Sequence, residues 1–367
     1  MNFVWGKRQF YIILFSILLS MGGTACSGAG SPATVGATLI ENHTDDEKAV
    51  GLTGGSSKDG KSSGDSGKDS TNQATVSEAG TSGDSASVSD DSKQQVTYRD
   101  NTPVVLEPSS PGVDICGNEL VTIDTSNDSE GYITVHYKGI NAKVKFQLTG
   151  PDGVTYTYDL DKGVDVLPLT AGSGAYQVGC FENVSGTEYA IAYTDVINLT
   201  IDNEFGAYLY PNLYVNFDKD TKAVDMAQEL VAEATCDLDV VYAIYKYTID
   251  NIVYDHELAE TVGSGYVPVV DDVLEKKSGI CFDYAVLMAA MLRSQGIPAR
   301  LEIGYAGTAY HAWISTYIED IGWIDGIIEF DGNSWTLMDP TFAANSDKTS
   351  FEEFIGDGSN YNTIYVY

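Results

Sequence analysis

From residue 27 to residue 100 the chain carries one aromatic side chain, Tyr98, in a run dominated by Ser, Gly, Asp, Thr and Lys. A segment of that composition cannot bury enough apolar surface to offset the entropy of ordering it. It reads as a flexible, disordered tether and leaves residues 101–367 to build whatever core exists, a length that suits two domains. Acidic residues number 53 against 20 Lys and Arg, a net charge of −33. A surface this acidic repels nucleic acid and anionic lipid heads, which argues against both as partners. The acid is spread along the chain, with no D-x-[DN]-x-[DN]-G run of the EF-hand type. No metal or cofactor is expected.

Upstream of the tether, Lys7 and Arg8 precede the apolar stretch "FYIILFSILLSM", residues 10–21. A dozen apolar residues are too few to span a bilayer comfortably but suit a signal-peptide core. The small-residue run "GGTAC" ends at Cys26 and resembles the lipobox of bacterial lipoproteins. That resemblance implies a signal peptide over 1–26, lipidation of Cys26 and a protein anchored on the extracellular face of the membrane. Ordinary cleavage near Ala25 would give a secreted protein instead. Either way the chain is expected outside the cytoplasm.

Residues 101–205 read as all-β. "AKVKFQL" (142–148) alternates strictly, with Ala142, Val144, Phe146 and Leu148 on one face and Lys143, Lys145 and Gln147 on the other. "TGPDG" turns the chain and "VTYTYDL" resumes the period of two. "YITVHY" and "EYAIAYTDVINLTI" add further strand-like runs, so a small sandwich is predicted. His136 falls in a strand and reads as structural. Cys116 and Cys180 are candidates for a disulfide in an oxidising compartment.

Residues 206–367 change rhythm. "DLDVVYAIYKYTIDNIVYD" (237–255) has apolar residues at helical spacing, with Asp237 as candidate N-cap. Two further helices are predicted on either side of Ser278-Gly279, the second closed by Gly296 with Pro298 beyond. Strand-like runs "ARLEIGY", "YHAWISTYIE" and "SWTLMDPTF" follow, and helices before strands indicate an α+β class.

Cys281 opens the second of those helices and shares a stripe with Ala285, Met288 and Leu292, the face expected to pack on the sheet. A helix N-terminus stabilises a thiolate and offers N–H groups to an oxyanion. His311 begins one strand and Asp339 ends another. If those strands pair antiparallel, around Asp325-Gly326 or through a longer loop at Asp331-Gly332, the two residues become neighbours beneath the Cys helix. An imidazole beside a thiol ionises it, and a carboxylate fixes the imidazole's tautomer.

"GICFDYA", "GIPAR", "YHAWI" and "WTLMDPTF", in that order over about 235–345, resemble the transglutaminase-like superfamily. The resemblance implies a papain-like core of helices packed on an antiparallel sheet, preceded here by the sandwich. It implies Cys281 as nucleophile, His311 as base and Asp339 as the orienting acid. "NIVYDH" resembles the family's segment ahead of the Cys and places Tyr254 at the border of the site. Trp313, Trp323 and Trp335 all fall between His311 and Asp339, where Trp313 and Trp323 are candidates for the substrate groove or for sheet packing. The expected activity is thioester acyl transfer or amide hydrolysis on protein or peptide. The alternative is an inactive surface adhesion or binding module.

Overall fold

The computed structural model describes residues 99–319, 321–325 and 361–367, together with the backbone of two short strands at 328–330 and 335–337. Eight strands come first: β1 (Ile115–Gly117), β2 (Val121–Asp124), β3 (Tyr132–Tyr137), β4 (Val144–Thr149), β5 (Thr155–Asp159), β6 (Val164–Pro168), β7 (Gly174–Ser185) and β8 (Glu188–Leu199). They form two four-stranded sheets in the orders β1-β2-β3-β6 and β5-β4-β7-β8, with antiparallel neighbours throughout. Their alternating residues bury Ile123, Ile133, Val135, Phe146, Leu148, Leu167 and Val178 between the sheets. This is the pattern of a sandwich with one wet face per sheet. Cys116 and Cys180 are both free thiols, so the disulfide entertained from sequence is not formed. Burial pushes the Cys180 thiol up to about 11.

Five helices follow: α1 (Lys222–Leu230), α2 (Asp237–Asn251), α3 (His256–Thr261), α4 (Val270–Lys276) and α5 (Cys281–Ser294). Two-residue strands β9 (Val253–Tyr254) and β10 (Ser278–Gly279) pair in parallel. The remaining strands are β11 (Ala299–Ala306), β12 (Ala309–Ile318), β13 (Gly322–Ile324), β14 (Ile328–Phe330), β15 (Trp335–Leu337) and β16 (Tyr361–Val366). The larger sheet has the antiparallel order β13-β12-β11-β16, so the region is a mixed α+β structure. Helix α5 packs on β11 and β12 and against α1, α2 and α4.

Two expectations change here. The N-cap of α2 is Cys236, and Asp237 is the first helical residue, where its carboxylate accepts from Arg99 Nε at 2.6 Å. An acid at either place answers the positive helix end. Among the described residues β12 pairs with β11 and β13, while β15 pairs with β14 in a separate ribbon. The connection after β12 is a hairpin into β13, while β14 and β15 pair with each other from Ile328↔Leu337 to Phe330↔Trp335, and Asp331-Gly332 lies outside the described residues. Among the described residues, the strand that begins at His311 and the strand that leads toward Asp339 are therefore not paired with each other.

The C-terminus of α5 is closed as its sequence indicates. Gly296 adopts φ +73°, Gly296 N–H donates to Arg293 O and Ile297 N–H donates to Leu292 O. These are the two bonds of a Schellman turn, which a left-handed residue makes possible. The turn reverses the chain directly into β11.

The apolar cluster is continuous from the sandwich into the α+β region, running from Val121 through Phe146 and Tyr158 to Leu287, Leu301 and Tyr367. Backbone bonds cross the junction, from Leu213 N–H to Val166 O and from Val104 N–H to Ser294 O.

Candidate active site around the start of helix α5

The approach to Cys281 is fixed by a chain of local constraints. Lys277 ends α4 in a left-handed conformation, φ 51° and ψ 37°, uncommon for a side chain with a Cβ. The next two residues lie beside Val253 and Tyr254. Val253 N–H donates to Lys277 O at 3.0 Å and Asp255 N–H to Gly279 O at 2.9 Å. Tyr254 is thereby held opposite Gly279, two residues before the thiol.

Ile280 is the N-cap of α5 but has no side-chain acceptor. Asp283, three residues on, supplies the missing half by accepting the Ile280 N–H at 2.8 Å. Its other oxygen accepts the Tyr266 hydroxyl at 2.6 Å. Gly279 is obligatory for this arrangement, since a Cβ there would stand 2.4 Å from Asp283 Cβ. Burial raises the Asp283 carboxyl above its ordinary value, while the Tyr266 and Ile280 bonds oppose that rise. The Tyr266 ring sits edge-on to Phe282 at 6.4 Å, and Phe282 is 6.0 Å from Tyr214. Cys281 is a half-buried free thiol at the first helical position, packed against the edge of the core.

His311 is buried on β12, directly opposite Gly304 of β11. Its ring centroid lies 6.2 Å from Trp313 and 6.5 Å from Tyr361, and Trp313 meets Tyr361 edge-on at 4.9 Å. The reversal at Gly296 brings the two candidates to one end of the layer. From Ala299 to Gly304 β11 climbs about 17 Å, against about 20 Å for the length of α5. The approach is not beneath the helix body, however. Ala312 and Ile314 join the core shared with α5, and His311, Trp313 and Ser315 alternate with them. Any meeting with Cys281 is around the first turn of the helix.

Asp339 lies outside the described residues, as do the side chains of β15, including Trp335. Trp313 is buried in the sheet cluster just described. Trp323 sits at the other end of β12, where Tyr317 opposes it, about 20 Å along the strand from His311. Arg300, Tyr208, Tyr317 and Phe205 surround it, so it lines the junction with the sandwich.

Sequence reasoning passed over Asp283, Tyr266 and Glu302. The Asp283 signal was present, an acid at the third helical position, but the Ile at the cap hid it. Glu302 is buried on the His311 face and accepts the hydroxyls of Ser315 and, at 2.7 Å, Thr363. Only the fold brings Thr363 to it. Among the described residues no group of His, Cys, Asp and Glu has the arrangement of a metal site.

Residues 224–326 match the model of the transglutaminase-like superfamily and form a transglutaminase-like domain. That span contains both Cys281 and His311. Solved structures similar to the chain include a protein from Cytophaga hutchinsonii described provisionally as a cysteine protease, at 16% identity and TM-score 0.31, covering 65% of this chain and 87% of the other. The periplasmic domain of TgpA from Pseudomonas aeruginosa is 15% identical with TM-score 0.30, covering 62% and 95%. Red sea bream transglutaminase is 14% identical with TM-score 0.26, covering 59% and 48%. Likenesses this distant say nothing of activity. Comparison with curated proteins finds no match.

Proposed function

We propose that the chain is a cysteine acyltransferase or amide hydrolase in which Cys281 is the nucleophile, His311 its base and Asp339 the residue that orients the imidazole. The observation that carries this reading is the placement of Cys281 at the first position of α5, inside the transglutaminase-like span and at the same end of the layer as His311. Asp283 occupies the Ile280 N–H, which leaves the next first-turn N–H groups to face an oxyanion. Attack of the thiolate on a carbonyl forms a thioester and expels the amine, which takes the proton held by His311. Water or a second amine then releases the acyl group. Tyr254, held beside Gly279, borders the acyl site, and peptide or protein is the substrate.

The location belongs to the same proposal. A lipidated Cys26 followed by a tether over 27–100 would hold the sandwich (101–205) and the acyl-transfer domain (206–367) away from the outer surface of a membrane. No helix among the described residues is long and apolar enough to cross one.

Alkylation tests the nucleophile. Iodoacetamide at pH 6 should label Cys281 ahead of Cys116, Cys180 and Cys236, and His311→Ala should slow it. A rate at Cys281 that rises only above pH 8, in step with the other thiols, would falsify the assignment. Incubation with a glutamine-containing protein and a labelled amine separates transfer from hydrolysis. No turnover despite rapid alkylation would favour a binding module.

A further inference from the structure

At the junction between the sandwich and the larger sheet lies a pocket of 250 Å³, bordered by Leu169, Thr170, Glu204, Tyr208, Arg300 and Trp323. Arg300 is its cation. The guanidinium carbon lies 3.5 Å from the Trp323 ring centroid and 4.9 Å from that of Tyr208. Stacking engages the faces of a guanidinium and leaves its N–H donors pointing out in its plane. Among the described residues Arg300 makes no ion pair, although carboxylates abound in a chain of net charge −33. Its Nε is buried without any partner.

The neighbouring Arg293 shows what a purely structural arginine does in this protein. Every one of its nitrogens is satisfied by the carbonyls of Ala299, Tyr210 and Tyr367. Arg300 lies over the Trp323 ring, with the nearly perpendicular Tyr208 ring beside it, and keeps donor capacity next to an open volume. A buried, charged donor without an acceptor calls for an explanation, and a ligand that supplies the acceptor is one.

We propose that this pocket binds the free C-terminal carboxylate of a peptide, forked onto Arg300. A planar carboxylate matches the two-donor edge of a guanidinium in geometry and charge. Exposed Glu204 at the rim repels a multiply charged phosphate but can accept a peptide N–H. Leu169 and Trp323 offer an apolar wall to the terminal side chain. The pocket is distinct from the Cys281 region, since Arg300 stands about 13 Å along β11 from Gly304, the partner of His311. It does not depend on acyl transfer.

The test uses the full chain carrying Cys281→Ala, so that turnover cannot intervene. N-acetyl-trialanine with a free carboxylate, the same peptide as its C-terminal amide, and inorganic phosphate are titrated by calorimetry and by tryptophan fluorescence. The acid should bind saturably, and the amide and phosphate at least about tenfold more weakly. Arg300→Lys, which keeps the charge and loses the fork, should weaken the acid by about tenfold at unchanged circular dichroism. Trp323→Phe should silence the fluorescence change while calorimetry still reports binding. Equal affinity for acid and amide, or no saturable binding of the acid, overturns the proposal without need of any variant of the pocket. Tighter binding of phosphate than of the peptide acid overturns the choice of ligand.

Discussion

Strand β4 and helix α5 are both core elements, and they present their burial in opposite ways. In β4, Val144, Phe146 and Leu148 are buried while Lys145 and Gln147 between them keep contact with solvent. In α5 the residues expected to form one inward stripe, Ala285, Met288 and Leu292, are no more buried than Val286, Ala289, Ala290 and Met291. A strand in a two-sheet sandwich has one dry face by construction. A helix covered by three helices on one side and a sheet on the other has no wet face, and its near-continuous apolar sequence, "YAVLMAAMLRS", reflects that.

The sharpest way to break this comparison is at the polar end of the apolar run. Arg293 is completely buried, and burial pulls its guanidinium down to about 9. It ties α5 to Tyr210 before α1, to Ala299 at the start of β11 and to Tyr367 after β16. Arg293→Ala removes the donors to the Ala299 and Tyr210 carbonyls and leaves Tyr367 O with the Leu301 N–H alone. We expect a loss of about 3–5 kcal/mol in urea denaturation. A loss below about 1 kcal/mol would mean that water enters and that this end of α5 is not sealed.

A second comparison lies within the helix. Met288 belongs to the stripe read from the sequence and Met291 does not, yet both are fully buried. Each Met→Ala change should cost about 2–4 kcal/mol, and the two values should agree within about 1 kcal/mol. A near-neutral Met291→Ala would restore the one-sided helix.

What the sequence disclosed follows the same division. The strands of the sandwich were legible because alternation and turn residues are local signals, and so was the closing turn of α5 at Gly296. The start of α5 at Cys281 was legible as well. The pairing of the strand after His311 was not, because two Asp-Gly turns competed and only the packing around Trp323 selects β13 as the partner of β12. Arg293 and Glu302 were illegible for another reason. A charged residue next to apolar ones reads as exposed until long-range acceptors and donors, Tyr367 O and the Thr363 hydroxyl, come into view. Tyr266 likewise meets Asp283 from a loop 17 residues earlier.

The smallest of the expected effects concerns a place where the sandwich departs from its own rule. In β6 the inward alternation that buries Leu167 also buries Asp165, a carboxylate opposite Val135. Its one backbone donor is the Asp161 N–H at 3.2 Å. Burial, with the Asp161 charge adding to it, raises the Asp165 carboxyl to about 6. A carboxyl whose folded value lies above its unfolded value binds protons more tightly in the native state. Stability should therefore rise as pH falls from 7 toward 4, the reverse of a salt-bridged acid. The carboxylate is not fully enclosed, so the gain is about 1–2 kcal/mol. Asp165→Asn keeps an acceptor for Asp161 and removes the charge. It should be more stable than the parent at pH 7 by that amount and indistinguishable from it at pH 4. The measurement is the difference between the two urea midpoints across that range. A difference that stays constant with pH would show that the substitution acts through packing, and that the sandwich pattern tolerates its one inward acid without electrostatic cost.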